Sequence, residues 1–234
     1  MLKKLLRNIR QSINASSCKT SYAQCGEDII TNFLFTSVGI AKPTYLDIGA
    51  NNPSWCSNSY LFYKKGCTGV LVEADETIIP LIKKVRPRDK ILNVGVGFQS
   101  EKEADFYIFD VKALNTFSKE EAQQRAEIGT HKISKVVKVA LKTINEIISE
   151  NFDSYPDFMS IDIEGLDLAV LKTLDIANYP IPVICAETCT YSENHMKPKD
   201  SRIKEFMHSK GYFEYADTYV NSVFVNENWF KKII

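Results

Sequence analysis

The chain has 234 residues, of which 44% are hydrophobic and 25% are charged, a composition typical of a soluble globular protein with a substantial core. Its 29 basic residues are balanced by 29 acidic residues, so no global field favours nucleic acid as a partner. No apolar run approaches the roughly 18 residues that a membrane span requires, and the first residues do not resemble a signal peptide. The six cysteines have no close paired spacing, which favours reduced thiols in a cytoplasmic protein.

The amino-terminal segment has a different charge pattern from the rest of the chain. Its first twenty residues contain five lysines and arginines and no acidic residue. Leucine and isoleucine recur at helical spacing in MLKKLLRNIRQSI, so residues 1–14 are predicted to form a basic amphipathic helix. Such a helix could lie on an anionic membrane surface or pack on its own domain. We assign residues 1–19 to this segment and residues 20–234 to a single domain.

The rest of the chain alternates between helical and strand patterns. Ser21 followed by Gln24 fits a capping box that opens a first helix. Residues 99–136 are the most irregular, and their charged run SKEEAQQRAE is expected to form a solvated helix or a loop over a ligand site. The predicted strands are 44–48, 69–73, 90–96, 158–163, 182–187, 211–215 and 222–225. The predicted helices between them are 58–65, 78–85, 141–150 and 166–174.

This alternation predicts a Rossmann-like α/β fold. The expected sheet is doubly wound, mostly parallel and seven-stranded, and it ends in an antiparallel hairpin. Open sheets of this kind bind ligands at the carboxyl ends of their strands. Asp47, Gly49, Glu73, Asp162 and Glu187 are all predicted to lie at such ends. Because a carboxylate buried without partners is costly, these residues indicate a ligand site rather than a core.

The residues at the strand ends favour a cationic ligand that carries a ribose. A dinucleotide fingerprint needs three glycines after the first strand, and only Gly49 is present there. S-adenosylmethionine (SAM) has a sulfonium and an ammonium, which favour carboxylates, and a ribose diol that one carboxylate can bind through two hydrogen bonds. Glu73 is in position for the diol, and Asp47 with the Gly49 turn is in position for the methionine end.

Longer motifs in the same regions resemble the FkbM-type SAM-dependent methyltransferases. They are, in chain order, SYAQCGEDIITNFL, YLDIGANNPSWCSNSYLFYKKGCTGVLVEAD, NVGVG, DFMSIDIEGLDLAVLKTLD, VICAE and GYFEYADTYVNSVFVN. The resemblance covers roughly residues 20–228. It implies the class I methyltransferase fold, SAM as the methyl donor, and methyl transfer to an oxygen, often on a sugar or a polyketide.

The resemblance also implies roles for individual residues. Asp162 would face the methionine end of SAM or the acceptor, and Glu164 belongs to the same IDIEG signature, so both are catalytic candidates. The residues predicted to bind the cofactor are Asp47, Gly49, Asn51, Glu73, Ala74 and Asp162.

A sugar hydroxyl is a poor nucleophile until its proton leaves, so a general base or a metal is expected. His195, which follows the fifth strand, is the first candidate base, ahead of His131 and His208. An alternative is an oxygen-rich Mg²⁺ site formed by Asp162, Glu164 and Glu187, although three acids around a cationic donor need no metal. The residues predicted to contact the acceptor are Trp55, Glu187 and Tyr191.

The sequence therefore predicts a SAM-dependent O-methyltransferase whose acceptor is a saccharide hydroxyl, in surface-polysaccharide or glycan biosynthesis. One alternative is a small-molecule (polyketide-like) O-methyltransferase. Another is a binding protein that has the methyltransferase fold without catalysis, although a scaffold would not need Glu73 or Asp162. The basic segment at residues 1–14 would suit a lipid-linked acceptor at the cytoplasmic face of a membrane.

Overall fold

The structure is a computed structural model, and it describes residues 19–98, 101–189, 199 and 201–233. The predicted amphipathic helix at residues 1–14, the candidate base His195 and the candidate acceptor ligand Tyr191 lie outside the described residues.

Within the described residues, ten strands form two sheets. They are β1 (Tyr45–Ile48), β2 (Gly69–Val72), β3 (Lys90–Leu92), β4 (Gly95–Gly97), β5 (Glu103–Phe109), β6 (Ile133–Thr143), β7 (Phe158–Ile161), β8 (Val183–Glu187), β9 (Tyr212–Asp217) and β10 (Asn221–Asn226). The larger sheet has seven strands in the order β3-β2-β1-β7-β8-β10-β9. Its first five strands pair in parallel, and β10 runs antiparallel between β8 and β9. This confirms the predicted doubly wound sheet with an antiparallel end.

Helices cover both faces of the large sheet. They are α1 (Glu27–Ser37), α2 (Tyr60–Lys64), α3 (Ile79–Val85), α4 (Lys119–Ile128), α5 (Ile144–Asn151), α6 (Asp167–Thr173), α7 (Ser201–Ser209) and α8 (Glu227–Lys231). One apolar layer joins the sheet to α5, α6 and α7, and the other joins it to α1, α2 and α3. Burial on both faces explains why β1 and β7 are short runs without an exposed residue. None of these helices is long and apolar enough to cross a membrane, as far as the described residues extend.

Helix α1 begins later than the sequence predicts. Its amino-terminal cap is Gly26, which has a left-handed backbone and makes no side-chain cap. Instead, Ser21 Oγ donates a hydrogen bond to Asp28 Oδ1 at 2.6 Å, and the Tyr22 amide donates to Asp28 Oδ2 at 2.7 Å. The capping-box prediction at Ser21 was therefore wrong, because these polar groups fasten the preceding segment to a carboxylate inside the helix.

Residues 90–143 differ most from the prediction. The predicted strand 90–96 is split between β3, at the edge of the large sheet, and β4, which belongs to a three-stranded sheet in the order β4-β6-β5. The predicted helix 141–150 begins only at Ile144, since the preceding residues pair with β4 and β5. Residues 103–131, which we call the β5–α4 segment, comprise β5, a 3₁₀ helix at Lys112–Leu114, helix α4 and the turn that follows it.

Candidate active site

A row of chemically distinctive residues follows the carboxyl edge of the large sheet. The strand pairing places the final residues of β2, β1 and β7 opposite one another. The final residue of β7 also lies opposite the penultimate residue of β8. The next residue on each strand therefore falls in one row, in the order Glu73, Gly49, Asp162 and Glu187. With about 4.8 Å between neighbouring strands, the row extends over roughly 14 Å.

This row borders a cavity of about 1000 Å³, which is at the upper end of the range for small-molecule pockets. The cavity lies between the edge of the large sheet, the loop after β1 and the β5–α4 segment. Asp47 is not among the residues that line it. The sequence-predicted site residues that do line it are Gly49, Asn51, Trp55, Glu73, Ala74, Asp162, Glu164 and Glu187.

Gly49 allows the loop after β1 to approach β7 closely. Its φ angle is 83°, a left-handed conformation that favours glycine. A Cβ atom at this position would lie 1.9 Å from the Asp162 carbonyl oxygen, much closer than any side chain permits. The Gly49 amide donates to the Val72 carbonyl at 3.0 Å. The glycine therefore brings the ends of β2, β1 and β7 together around one turn.

Glu73 is buried and is oriented by the backbone around it. Its Oε2 accepts a hydrogen bond from the Asn51 amide at 2.7 Å, and its Oε1 accepts one from the Asp75 amide at 2.7 Å. Burial raises the pKa of the Glu73 carboxyl, and these two amides act against that rise. Because each carboxylate oxygen can accept more than one hydrogen bond, the fixed carboxylate can still accept two donors from the cavity.

Asp162 and Glu187 differ from Glu73 because no protein group among the described residues donates a hydrogen bond to either carboxylate or forms an ion pair with it. Burial, followed by the charge of Asp47, raises the pKa of Asp162 to about 6. Burial, followed by the charge of Asp162, raises the pKa of Glu187 well above its ordinary value. A cation placed between such carboxylates would favour their ionised forms, so this end of the cavity is complementary to positive charge.

Glu164 faces the cavity from a left-handed backbone with a φ angle of 56°. Arg125 of α4 donates through Nη2 to Glu164 Oε2 at 2.7 Å and through Nη1 to the Leu114 carbonyl at 2.8 Å. Burial and the charge of Asp162 raise the pKa of Glu164 to about 8, against the effect of Arg125. One guanidinium thus joins two walls of the cavity. The sequence analysis missed Arg125, because nothing distinguishes it from its neighbours in the charged run SKEEAQQRAE.

Asp167 holds the loop that carries Asp162 and Glu164. Its carboxylate accepts hydrogen bonds from the Ile163 amide at 3.2 Å and the Gly165 amide at 3.3 Å. Burial and the charge of Asp162 raise the pKa of Asp167 to about 7, and the backbone hydrogen bonds act against the rise. The IDIEG signature therefore has an internal support at Asp167, which the sequence analysis did not identify.

Asp47 lies on the other face of β1, toward α2 and α3. Its Oδ2 accepts a short hydrogen bond from Ser59 Oγ, and Arg86 Nη1 lies 3.9 Å from the same oxygen. Arg86 is fully buried and also pairs with Asp89 at 2.7 Å. Burial raises the pKa of Asp47, and Arg86 opposes that shift. The predicted contact between Asp47 and a cofactor stays a prediction.

The β5–α4 segment contributes further cavity residues that the sequence analysis did not assign to the site. Lys112 Nζ donates to Thr77 Oγ1 at 2.7 Å. Asn115 Nδ2 donates to Asp75 Oδ2 at 3.3 Å, so the segment is attached to the loop after β2. His131, a secondary candidate base, lines the cavity with its Nδ1 3.6 Å from Asp110 Oδ1. The other newly found lining residues from this segment include Phe106, Val111, Leu114 and Phe117.

The Mg²⁺ alternative receives no support from the residues that the structure describes. Among them, no three histidine, cysteine, aspartate or glutamate side chains are grouped so that they could hold a metal ion. Of the three acids proposed for that role, Asp162 and Glu187 lie in the row, whereas Glu164 lies on the loop after β7 and is paired with Arg125.

The sheet order, the glycine turn after β1 and the acidic residue that follows β2 define a Rossmann-like fold of the class I methyltransferase type. The family model of the methyltransferase FkbM domain matches residues 47–213, which is more than half of the chain. The chain therefore belongs to the FkbM family of SAM-dependent methyltransferases, and the resemblance noted in the sequence is confirmed.

Solved methyltransferase structures are similar at low identity. A TehB-like SAM-dependent methyltransferase from Corynebacterium glutamicum shares 8% identity and a TM-score of 0.45, with 97% of this chain and 100% of that chain covered. An O-methyltransferase from Bacillus cereus in complex with SAH shares 12% identity and a TM-score of 0.41, with 96% and 88% covered. No curated protein sequence matches this chain significantly. Similarities this distant identify no acceptor.

Proposed function

We propose that this protein transfers the methyl group of SAM to a hydroxyl oxygen, and that the acceptor is a saccharide in surface-polysaccharide or glycan biosynthesis. Membership of the FkbM family supports methyl transfer. The assignment of SAM as the methyl donor depends mainly on the row Glu73, Gly49 and Asp162. In this row a glycine turn lies between a carboxylate that is fixed by backbone amides and a carboxylate that has no partner among the described residues. Unpaired negative charge beside a cavity suits the sulfonium and the ammonium of SAM.

Distances along the row indicate where each part of SAM would bind. If the ribose diol binds Glu73, the sulfonium follows within a few covalent bonds, near Gly49 and Asp162. Asp162 is two strand spacings, or roughly 10 Å, from Glu73. Glu187 is one strand further and therefore lies on the acceptor side. Asn51 and Ala74, which line the same wall, complete the proposed cofactor-binding set with Asp47.

When bound, SAM would supply an electrophilic methyl carbon for the hydroxyl oxygen, with S-adenosylhomocysteine as the leaving group. The protein must align the two reactants and exclude water, and a general base must take the hydroxyl proton. We assign alignment and charge balance to Asp162 and Glu164, and we retain His195 as the proposed base. Glu164 suits a fixed role because Arg125 holds its carboxylate.

The acceptor is proposed to contact Trp55, Glu187 and Tyr191. Trp55 lines the cavity with 71% of its surface exposed, and its amide donates to Asn52 Oδ1 at 3.0 Å. A large aromatic side chain held at the edge of a cavity is suited to stacking on a sugar ring. This exposure supports the saccharide assignment, because a tryptophan with only a packing role would be buried.

A second candidate is methyl transfer to a small apolar molecule. It is favoured by the wall that the β5–α4 segment provides, where Phe106, Leu114 and Phe117 line the cavity. The rings of Phe106 and Phe117 lie 4.6 Å apart, so this wall is continuous and apolar. Small-molecule enzymes typically enclose their acceptors in such surroundings.

Transfer of tritium from methyl-labelled SAM would separate these candidates. The acceptor panel would contain methyl glycosides, short oligosaccharides, and apolar phenols and macrolides of similar mass. We expect labelled methyl ether on saccharides. Label confined to phenols or macrolides would support the second candidate, and SAM binding without transfer to any acceptor would favour a non-catalytic binding protein.

Residues 1–14 are proposed to bring the enzyme to a membrane that carries a lipid-linked acceptor. The support is their basic, amphipathic pattern. We expect the full chain to sediment with anionic vesicles, and a chain without residues 1–14 to remain in the supernatant. Equal binding of the two proteins to the vesicles would refute this role.

A further inference from the structure

The acceptor side of the cavity contains a carboxylate, that of Glu187, for which the described residues provide no partner. Glu187 ends β8, one strand beyond Asp162, and its side chain lines the cavity. Among the described residues, no donor or cation contacts its carboxylate. It is also roughly 14 Å along the row from Glu73, which leaves room for the donor between them. A partner for Glu187 is therefore expected from the acceptor rather than from SAM.

The basic side chains that line the described part of the cavity already have partners. Lys112 Nζ donates to Thr77 Oγ1 at 2.7 Å, and His131 Nδ1 is 3.6 Å from the carboxylate of Asp110. No other lysine, arginine or histidine belongs to the described lining. Of these two side chains only Lys112 keeps a charge that no acid compensates, since its partner Thr77 is a neutral hydroxyl, and it belongs to the β5–α4 segment rather than to the strand end that carries Glu187.

Trp55 lines the same cavity and adds an exposed aromatic face. An aromatic face attracts a cation through its quadrupole, and a carboxylate adds charge-assisted hydrogen bonds. Trp55 and Glu187 line one cavity and offer an ammonium group the two kinds of contact that it prefers, whereas a neutral hydroxyl would bring no cation to Glu187.

We propose that the acceptor is an amino sugar, and that Glu187 binds its ammonium group while a neighbouring hydroxyl receives the methyl group. The inference rests on the proposed function, because it takes the donor to lie between Glu73 and Asp162. It narrows the acceptor from saccharides in general to those with a free amine, and it makes Glu187 a determinant of specificity.

Binding of matched glycosides to the full chain tests this inference without knowledge of the natural acceptor. The protein is first titrated with S-adenosylhomocysteine and then, when saturated, with methyl β-D-glucosaminide or with its N-acetyl derivative near pH 7. Acetylation removes the charge and keeps the sugar. We expect the free amine to bind more tightly by about tenfold or more, as charge-assisted hydrogen bonds contribute. We also expect Glu187→Gln to bring the two affinities within about twofold.

Glu150→Gln is the matched control, since Glu150 is an exposed α5 residue paired with Lys142, and this variant should keep the preference. The affinity for S-adenosylhomocysteine should stay within about twofold of wild type in both variants, which shows that they are folded. Equal binding of the amine and the acetamide, or a preference that survives Glu187→Gln, would overturn the inference and leave the donor site intact. Failure of S-adenosylhomocysteine to bind would instead refute the proposed function.

Discussion

Gly49 is the residue whose identity the cavity geometry restricts most tightly. It combines a left-handed backbone with a Cβ position only 1.9 Å from the Asp162 carbonyl oxygen. We expect Gly49→Ala to displace the loop between β1 and α2 from the end of β7. The affinity for SAM should then fall by more than about tenfold, and the melting temperature should fall with it.

Gly129→Ala separates backbone strain from the steric clash. Gly129 also has a left-handed backbone, with a φ angle of 84°, but nothing lies within 4 Å of its Cβ position. This control should cost about 1–2 kcal/mol, or roughly 2–8 °C in melting temperature, and should bind SAM as wild type does. Calorimetry measures SAM affinity and thermal melting measures stability for both variants. Normal SAM binding by Gly49→Ala would contradict the role assigned to the close contact between Gly49 and the Asp162 carbonyl.

At the scale of residues, the sequence predicts the residues of the row better than it predicts the residues that hold the neighbouring loops in place, such as Arg125. Glu73, Gly49 and Asp162 follow short apolar runs, so their positions at the sheet edge depend on local signals. Arg125 could not be found in this way, because its partner Glu164 is 39 residues away. The orientation of Asp47 was accessible from alternation along β1, since its neighbours Leu46 and Ile48 face the opposite layer.

The β5–α4 segment forms the wall of the cavity that lies opposite the edge of the large sheet. Arg125 connects this segment to the loop that carries Asp162 and Glu164. Arg125 is 2% exposed and donates to both Glu164 and the Leu114 carbonyl. We expect Arg125→Met to lower the free energy of unfolding by about 1–3 kcal/mol, because Glu164 Oε2 and the Leu114 carbonyl would lose their hydrogen-bond donor. SAM affinity should fall as well, and α4 should become susceptible to proteolysis. Urea unfolding, calorimetry and limited proteolysis measure these three effects.

Lys138→Met is the control for Arg125→Met. Lys138 of β6 pairs with Asp105 of β5 at 2.9 Å on the exposed face of the three-stranded sheet. Exposed ion pairs of this kind contribute little to stability because water and salt screen them, so this variant should resemble wild type in all three measurements. If Arg125→Met also resembled wild type, the connection between α4 and Glu164 would have no energetic importance.

At the scale of elements, local pattern was sufficient for the large sheet and insufficient for residues 90–143. Strands β1, β2, β7 and β8 are apolar runs in a buried sheet, and composition alone identifies them. Strand β6 has the alternation of a strand, but its partners β4 and β5 lie far back in the sequence. Such non-local pairing overrides local propensity, so the start of α5 was placed too early.

Across the whole molecule, the buried acids of the cavity determine an unusual pH dependence of stability. The pKa values of Asp162, Asp167 and Glu164 are raised to about 6, 7 and 8, mainly by burial. Groups with a higher pKa in the folded state bind more protons there than in the unfolded chain. Their contribution to stability is therefore present at low pH and is lost as the pH rises through these values.

We consequently expect the free energy of unfolding of the ligand-free protein to fall between about pH 5 and pH 8. Saturating SAM should reduce this fall, because a cation beside Asp162 favours its ionised form. Asp162→Asn should also reduce it, because the asparagine does not titrate. Urea unfolding at several pH values measures the slope for each sample. A free energy of unfolding that rises over this range in the ligand-free wild type would contradict the assigned shifts.

The most direct test of the account is a calorimetric titration of SAM into the wild-type protein, with Glu73→Ala and Asp47→Ala in parallel. Glu73 faces the cavity and is assigned to the ribose diol, so its loss should weaken binding by roughly 1.5–3 kcal/mol, or about tenfold or more. Collapse of binding in Glu73→Ala would support the donor site along the sheet edge. Absence of SAM binding by folded wild-type protein, or unchanged affinity in Glu73→Ala, would contradict it.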